Sequence, residues 1–386
     1  MTYRPLGPKA RLLMGPGPSP IHPRVYGAMA MPVVGHLDPQ FVALMEETKE
    51  LLRHVFQTGN ELTLPISGTG SAGMETCVLN ALEPGDAALI CVNGVFGARL
   101  REVAARCGAR VDVVEAPWGQ DIDPEDVRRA LRGSEYKLVA AVHAETSTGV
   151  LQPLSDLVAA AHEAGALFLL DTVTSLGGVE VDVDGWEIDL SYSGTQKCLS
   201  CPPGLAPITL GPRAREALGR RTHPVQSWYL DLTLLQEYWG AARVYHHTAP
   251  VSMNYALREA LLLVREEGLQ ARWARHRDMH AALVRGLEAL GLELVVSEAI
   301  RLPTLTTVRV PDGVDEARVR GELLETHNLE IGAGLGTFKG AAWRIGLMGE
   351  AACAESIARL LAGLGSCLSA QGRPADVSGA MRWALE

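Results

Sequence analysis

Ala166-Leu-Phe-Leu-Leu-Asp171, followed 26 residues after its aspartate by the lysine of Ser193-Gly-Thr-Gln-Lys197, decides how this chain is read. An apolar run closing on an aspartate predicts a strand buried on both faces, with the carboxyl group at its C-terminal end. A carboxylate there is desolvated and costly unless it meets a cation. Lys197, flanked by Gly194 and Pro202-Pro203-Gly204, falls in a rigid turn rather than on a solvated helix face. A buried acid that can hold a protonated ring nitrogen and a buried amine that can condense with a carbonyl suit covalent catalysis.

Outward from this pair the chain alternates strand and helix. Ala87-Ala-Leu-Ile-Cys-Val92 is a strand, Asn93-Gly94 breaks it, and Val95 to Cys107 is amphipathic. Strand Arg110 to Glu115, a helix opened by Asp123-Pro124, strand Lys137 to His143 and a Pro153-started helix to about Ala164 follow. The expected fold is α/β: a mostly parallel sheet sandwiched by helices, with functional groups at the strand C-termini, where Asp171, Thr146 and Lys197 all fall. Met253 to Leu290 reads as a long helical connection. Leu292 to Ser297 and Thr304 to Val310 read as strands, Asp315 to Thr326 as a helix, Ala342 to Met348 as a strand, and a terminal helix starts near Cys353. These elements predict a smaller C-terminal α+β domain. The expected division is 1–20 as an N-terminal arm, 21–255 as the large domain, and 256–386 as interdomain helix plus small domain.

Composition narrows the function. At 386 residues, 47% hydrophobic and 21% charged, the chain is long and apolar enough for a sizeable core. A net charge of -10 without basic clusters argues against nucleic acid. No apolar run approaches the roughly 20 residues that span a bilayer, and neither Met1-Thr-Tyr-Arg-Pro5 nor Ala384-Leu-Glu386 reads as a targeting signal, so a cytoplasmic, membrane-free protein is expected. Seven scattered cysteines predict reduced thiols.

Ser67-Gly-Thr-Gly-Ser-Ala-Gly73 precedes a helical pattern from Ala72 to Leu82, a turn whose amides and hydroxyls would cradle a phosphate. It lacks a Gly-Lys-Ser/Thr ending and GxGxxG spacing, so neither a nucleoside triphosphate nor a dinucleotide site is favoured. With Leu13-Met-Gly-Pro-Gly-Pro-Ser19, Thr146-Ser-Thr-Gly-Val-Leu-Gln-Pro153, Asp171-Thr-Val-Thr-Ser-Leu-Gly-Gly178, Tyr192-Ser-Gly-Thr-Gln-Lys197, Tyr245-His-His-Thr-Ala-Pro250 and Arg344-Ile-Gly-Leu-Met-Gly349, this loop makes seven motifs in one order. Together they resemble the class V, fold type I aminotransferases that depend on pyridoxal phosphate, and within them the alanine-glyoxylate and serine-glyoxylate enzymes. The resemblance implies that Lys197 carries the Schiff base and Asp171 binds the ring nitrogen, with Val173 and Phe96 on opposite ring faces and Thr146 beside the ring. It implies a phosphate held by Thr69, Gly70, Ser71 and Gln196, and a homodimer with shared sites in which Tyr245 and Thr248 reach the partner's phosphate. Arg344 would grip the substrate carboxylate, a task suited to its planar fork. Gly35-His36 resembles the serine-using branch, where this segment reaches the partner's site.

Three positions depart from the family pattern. Phe96 stands where tryptophan is frequent, Ser71 where some relatives carry histidine, and Cys198-Leu-Ser-Cys201 where small residues are usual. The lone CxxC is read as two small buried side chains rather than a metal or redox motif. His246 and His247 are read as structural, since adjacent residues point in different directions. No metal is expected. The implied reaction moves the amino group of alanine or serine to glyoxylate, with serine-pyruvate and ureidoglycine-type reactions open. A cysteine desulfurase relative, or a catalytically inactive binding protein on the same fold, are the rival readings.

Overall fold

A computed structural model describes residues 6–385; the two ends on which the targeting readings rest, residues 1–5 and Glu386, lie outside that range. The chain enters through a two-residue strand β1 (Leu12–Leu13), then helices α1 (Pro23–Met29) and α2 (Pro39–Phe56). Both helices begin on a proline, whose missing N–H costs nothing there, and Asp38 caps α2 by accepting from Gln40 N. Next come β2 (Leu62–Ser67), α3 (Gly70–Ala81), β3 (Ala87–Val92), α4 (Val95–Arg106), β4 (Arg110–Glu115), α5 (Pro124–Leu131) and β5 (Leu138–Val142). A small hairpin, β6 (Ala144–Glu145) and β7 (Val150–Leu151), precedes α6 (Ser155–Glu163), β8 (Leu167–Asp171), β9 (Leu190–Tyr192), β10 (Leu205–Leu210), α7 (Pro212–Gly219) and α8 (Leu232–Trp239).

Seven strands form one sheet in the order β2-β10-β9-β8-β5-β3-β4, in which only β10 runs against the rest. Alternate residues of each central strand feed different cores. Leu89, Val139, Phe168 and Leu170 join one apolar cluster, and Ile90, Ala140, Leu167 and Leu169 join the other. Burial on both faces is why these strands read as unbroken apolar runs. The carboxyl ends of β2, β3, β5, β8 and β9 share one edge, where the candidate site is built.

Helices α9 (Val251–Glu267) and α10 (Leu269–Ala289) replace the single expected run. Gly268, with φ +83°, breaks it. The apolar side chains of α9 and Trp273 of α10 pack into the large core, whereas Leu283 and Leu287 pack into the small one. The small domain carries β11 (Leu305–Arg309), α11 (Glu316–Thr326), β12 (Leu329–Glu330), β13 (Gly332–Ala333), β14 (Ala342–Gly346), α12 (Ala354–Ala370) and α13 (Val377–Leu385). Its sheet has the order β11-β14-β13, while β1 pairs with β12, so Met14 enters the small-domain core. Residues 292–297 form no strand. They touch β11 through one bridge, Leu294 to Val308, and two flanking hydrogen bonds. Helix α13 has no counterpart in the sequence reading. Among the described residues no helix is long and apolar enough to cross a membrane.

Candidate active site

Asp171 ends β8 and is 3% exposed. Its Oδ1 accepts from Val173 N at 2.8 Å and its Oδ2 from the Tyr192 hydroxyl at 2.6 Å. Burial pushes the carboxyl from its ordinary 3.8 up to about 6, with those two donors pulling the other way. The carboxylate is therefore oriented and short of a cation.

Lys197 follows β9 by one turn and is 9% exposed. Its ammonium donates to the Pro16 carbonyl. Its backbone carbonyl accepts from the Ser19 hydroxyl at 2.7 Å, and Ser19 N donates to the Gln196 carbonyl at 2.9 Å. The Gly/Pro-rich segment Met14–Pro20 thus lies along the lysine. Gly17 has φ +103°, and a Cβ there would stand 2.7 Å from Lys197 Cδ, so the turn requires glycine. Burial pushes the Nζ from 10.5 down to about 8.

The 67–73 loop meets both segments. Helix α3 starts at Gly70, two residues earlier than its apolar pattern, with Thr69 as N-cap; the Thr69 hydroxyl makes no capping bond. A Cβ on Gly70 would meet Val173 Cγ2 at 3.4 Å and Gly194 Cα at 3.6 Å, so the loop, the segment just after Asp171 and the turn before Lys197 pack together. Gln196 has a buried side-chain oxygen without a partner, while Ser71 is exposed. Unpaired helix N–H groups and the free Thr69 hydroxyl at one helix N-terminus match a phosphate, which Gln196 can serve only through its amide NH2, not through the unpaired oxygen.

Arg344 projects from β14, 7% exposed. Nε donates to the Ala333 carbonyl at 2.7 Å and Nη1 to the Thr146 carbonyl at 3.0 Å, and burial pushes the guanidinium down to about 10. Both partners are neutral. Arg272, the other buried guanidinium among the described residues, already has an acceptor on each nitrogen: Gly177 O, Glu267 Oε2 and Cys198 O. Thr146 is buried just after β6, and Phe96 is half-buried in the first turn of α4. Glu145, to which the sequence draws no attention, is fully buried beside both. Pro16 and Gly17 stand in a motif the sequence singles out, but their contact with Lys197 is not readable there, because it spans most of the large domain in sequence.

Four expected residues lie elsewhere on this chain. Gly35, Tyr245 and Thr248 are exposed, and the His36 ring stands 5.3 Å from that of Tyr245. The expectation that His246 and His247 point apart is wrong: their Nδ1 atoms are 2.9 Å apart, with the rings perpendicular. His247 Nε2 lies 2.7 Å from the Ser67 hydroxyl, and His246 Nε2 lies 3.3 Å from the Trp228 carbonyl. With both rings neutral, one proton pattern fits: Ser67 donates to His247, His247 to His246, and His246 to Trp228. This relay ties the 245–248 segment to the phosphate loop. Burial and the neighbouring His246 push His247 down to about 4.

Cys198 and Cys201 are buried free thiols, and burial pushes Cys198 up to about 11. Cys353 is the N-cap of α12, its thiol 3.2 Å from the Ser356 hydroxyl. A desulfurase needs a reactive cysteine on a mobile loop, which this helix cap is not.

The sequence model of the family Aminotransferase class-V matches residues 24–358. The chain belongs to the class V aminotransferases. The solved alanine–glyoxylate aminotransferase of Nostoc sp. is 51% identical, with a TM-score of 0.94 over 95% of this chain and 98% of that one. The ureidoglycine–glyoxylate aminotransferase of Bacillus subtilis is 43% identical, with a TM-score of 0.97 over 99% of each. The alanine–glyoxylate aminotransferase of Rattus norvegicus is 42% identical over 95% of this chain and 89% of its own. This aminotransferase is thus a pyridoxal phosphate-dependent enzyme of fold type I, and the reading as an inactive binding protein falls away.

Proposed function

We propose that this aminotransferase moves the amino group of a small amino acid, alanine or serine, to glyoxylate, giving glycine and pyruvate or hydroxypyruvate. The observation that carries the substrate class is Arg344, a buried guanidinium whose hydrogen-bond partners are all neutral, whereas each nitrogen of buried Arg272 already has an acceptor and one of these is Glu267. One available carboxylate clamp suits monocarboxylic substrates, and the names of the similar enzymes share glyoxylate as acceptor. The B. subtilis enzyme, aligned over 99% of the chain, supports ureidoglycine as a second donor reading.

The residues present fit the cofactor. Thr69, Gly70, Ser71 and Gln196 would hold its phosphate, Val173 and Phe96 would flank the ring, Thr146 would lie beside it, and Asp171 would meet the ring nitrogen. When bound, pyridoxal phosphate supplies the carbonyl that receives the amino group and a ring that takes up the electron pair left at the substrate α-carbon. Lys197 Nζ is the general base that removes the substrate α-proton and, once protonated, can return it on the far side of the transferred nitrogen. A group held near 8 is neutral in about a tenth of molecules at pH 7, against well under a hundredth for an ordinary lysine. Pro16 O and Gly17 keep that amine in one place. Asp171, fixed by Tyr192 and Val173, would present a carboxylate oxygen to the ring N–H and so keep it protonated. Arg344 holds the substrate carboxylate, so that the α-proton faces Nζ.

Tyr245, Thr248, Gly35 and His36 would complete the site of a second copy. Met31, Val33 and Leu37, with Val244 and Tyr245 from the segment they meet at His36 and Tyr245, and Trp228, stacked on His246, expose large apolar side chains, which supports a homodimer on this face. The free cysteines suit a reducing cytoplasm. The test is single-turnover spectroscopy: alanine, serine or ureidoglycine should bleach the cofactor band and glyoxylate should restore it. Preference for glutamate and 2-oxoglutarate would overturn the monocarboxylate reading.

A further inference from the structure

We infer that Glu145 is a positioning residue that fills the N-terminus of α4 with an internal carboxylate and so fixes Phe96 at the cofactor ring. The inference rests on the reading of Phe96 as the ring-stacking aromatic. Glu145 ends β6 and is 0% exposed. Its Oε1 accepts from Ser147 N at 3.0 Å and from the Ser147 hydroxyl at 2.6 Å; its Oε2 accepts from Phe96 N at 3.1 Å and Gly97 N at 3.3 Å. The Ser147 oxygen, having donated its proton, accepts from Val95 N at 2.9 Å. Three consecutive N–H groups at the start of α4 are thereby consumed by the 144–147 segment.

An ordinary helix start takes its capping oxygen from the N-cap side chain. Here the N-cap is Gly94, which has none. A Cβ on Gly94 would stand 2.4 Å from both Glu145 Cδ and Ser147 Oγ, so the missing side chain is the space the carboxylate occupies. Four donors and the helix dipole offset the charge in part, and burial still pushes the carboxyl above its ordinary 4.5. Because the acceptors grip the amides of Phe96 and its two neighbours, α4 cannot turn or slide without stranding a buried carboxylate, which is costly. The next residue, Thr146, gives its carbonyl to Arg344 Nη1 at 3.0 Å, so one short segment locks the ring platform and touches the carboxylate clamp.

A carboxylate that merely stabilises the fold would act on cofactor binding independently of the Phe96 ring. The test is therefore a double-mutant cycle on apoprotein, reading the dissociation constant for pyridoxal phosphate by equilibrium titration. In Glu145→Gln the amide NH2 meets N–H donors whichever way it turns. It should weaken binding about 10- to 100-fold in the wild-type background and no more than about threefold in a Phe96→Ala background. Equal weakening in both backgrounds, or none in either, would overturn the inference alone. Phe96→Ala binding as tightly as wild type would overturn the platform reading and the inference with it. If Glu145→Gln does not fold, Ser147→Ala, which removes the hydroxyl between Glu145 and Val95, must reproduce the same dependence on Phe96 with a smaller factor; equal effects in both backgrounds would again overturn it.

Discussion

The Asp171 carboxyl has two neutral donors aimed at it and a folded-state value near 6, above its ordinary 3.8. Between those values the cofactor-free native state holds a proton that the unfolded chain has released, so apoprotein stability falls as pH rises from about 4 to about 6. The full penalty, about 3 kcal/mol, is present at pH 7.5. Asp171→Asn cannot ionise, so in urea unfolding the cofactor-free variant should equal wild type near pH 4 and exceed it at pH 7.5, while losing the cofactor readily. An apo variant less stable than wild type at pH 7.5 contradicts this. Arg344→Lys should keep the cofactor spectrum and lose about 2 to 5 kcal/mol of substrate interaction, seen as a raised KM for amino donors. Unchanged kinetics would remove Arg344 from the carboxylate. These residues are legible because a charge that ends an apolar run, as Asp171 does, or interrupts an apolar strand, as Arg344 does, is costly and must have a partner. Glu145 is not, because His143-Ala-Glu-Thr-Ser-Thr reads as an ordinary polar loop, and its partners lie on a helix some fifty residues upstream.

Gly17 shows how one element reaches into another's chemistry. Gly17→Ala puts a Cβ against the Lys197 side chain and asks an L-residue to keep φ +103°. The strain should cost about 1 to 3 kcal/mol of stability, and displacement of Nζ should lower kcat by about 100-fold with little change in substrate KM. A variant with wild-type kcat would separate the arm from the lysine. The strands of the large sheet were readable because burial on both faces leaves apolar runs bounded by turn residues. The break at Gly268 was not, since a glycine within a helical pattern is compatible with either outcome, and the apolar face resumes after it. Residues 292–297 have strand composition but pair with β11 at a single bridge, because pairing depends on a neighbour that composition does not reveal.

At the scale of the whole molecule, the exposed ring of Tyr245, 60% exposed, and the exposed Thr248 are held by the His246–His247 relay to the phosphate loop of their own chain. If they serve a second copy, two inactive proteins should rescue each other. Lys197→Ala refolded with a Tyr245 and Thr248 double variant gives mixed dimers in which one site inherits both defects and the other none. About a quarter of all sites should regain wild-type composition by two-fold symmetry. No recovery from demonstrated mixed dimers would mean that each chain completes its own site.

Attachment of the cofactor to Lys197 can be read directly, because the chain has only five lysines: Lys9, Lys49, Lys137, Lys197 and Lys339. Borohydride reduction of the holoenzyme, followed by peptide mass mapping, should find the phosphopyridoxyl group on Lys197 alone. The label on any of the other four, or none despite a bound cofactor, would contradict the account.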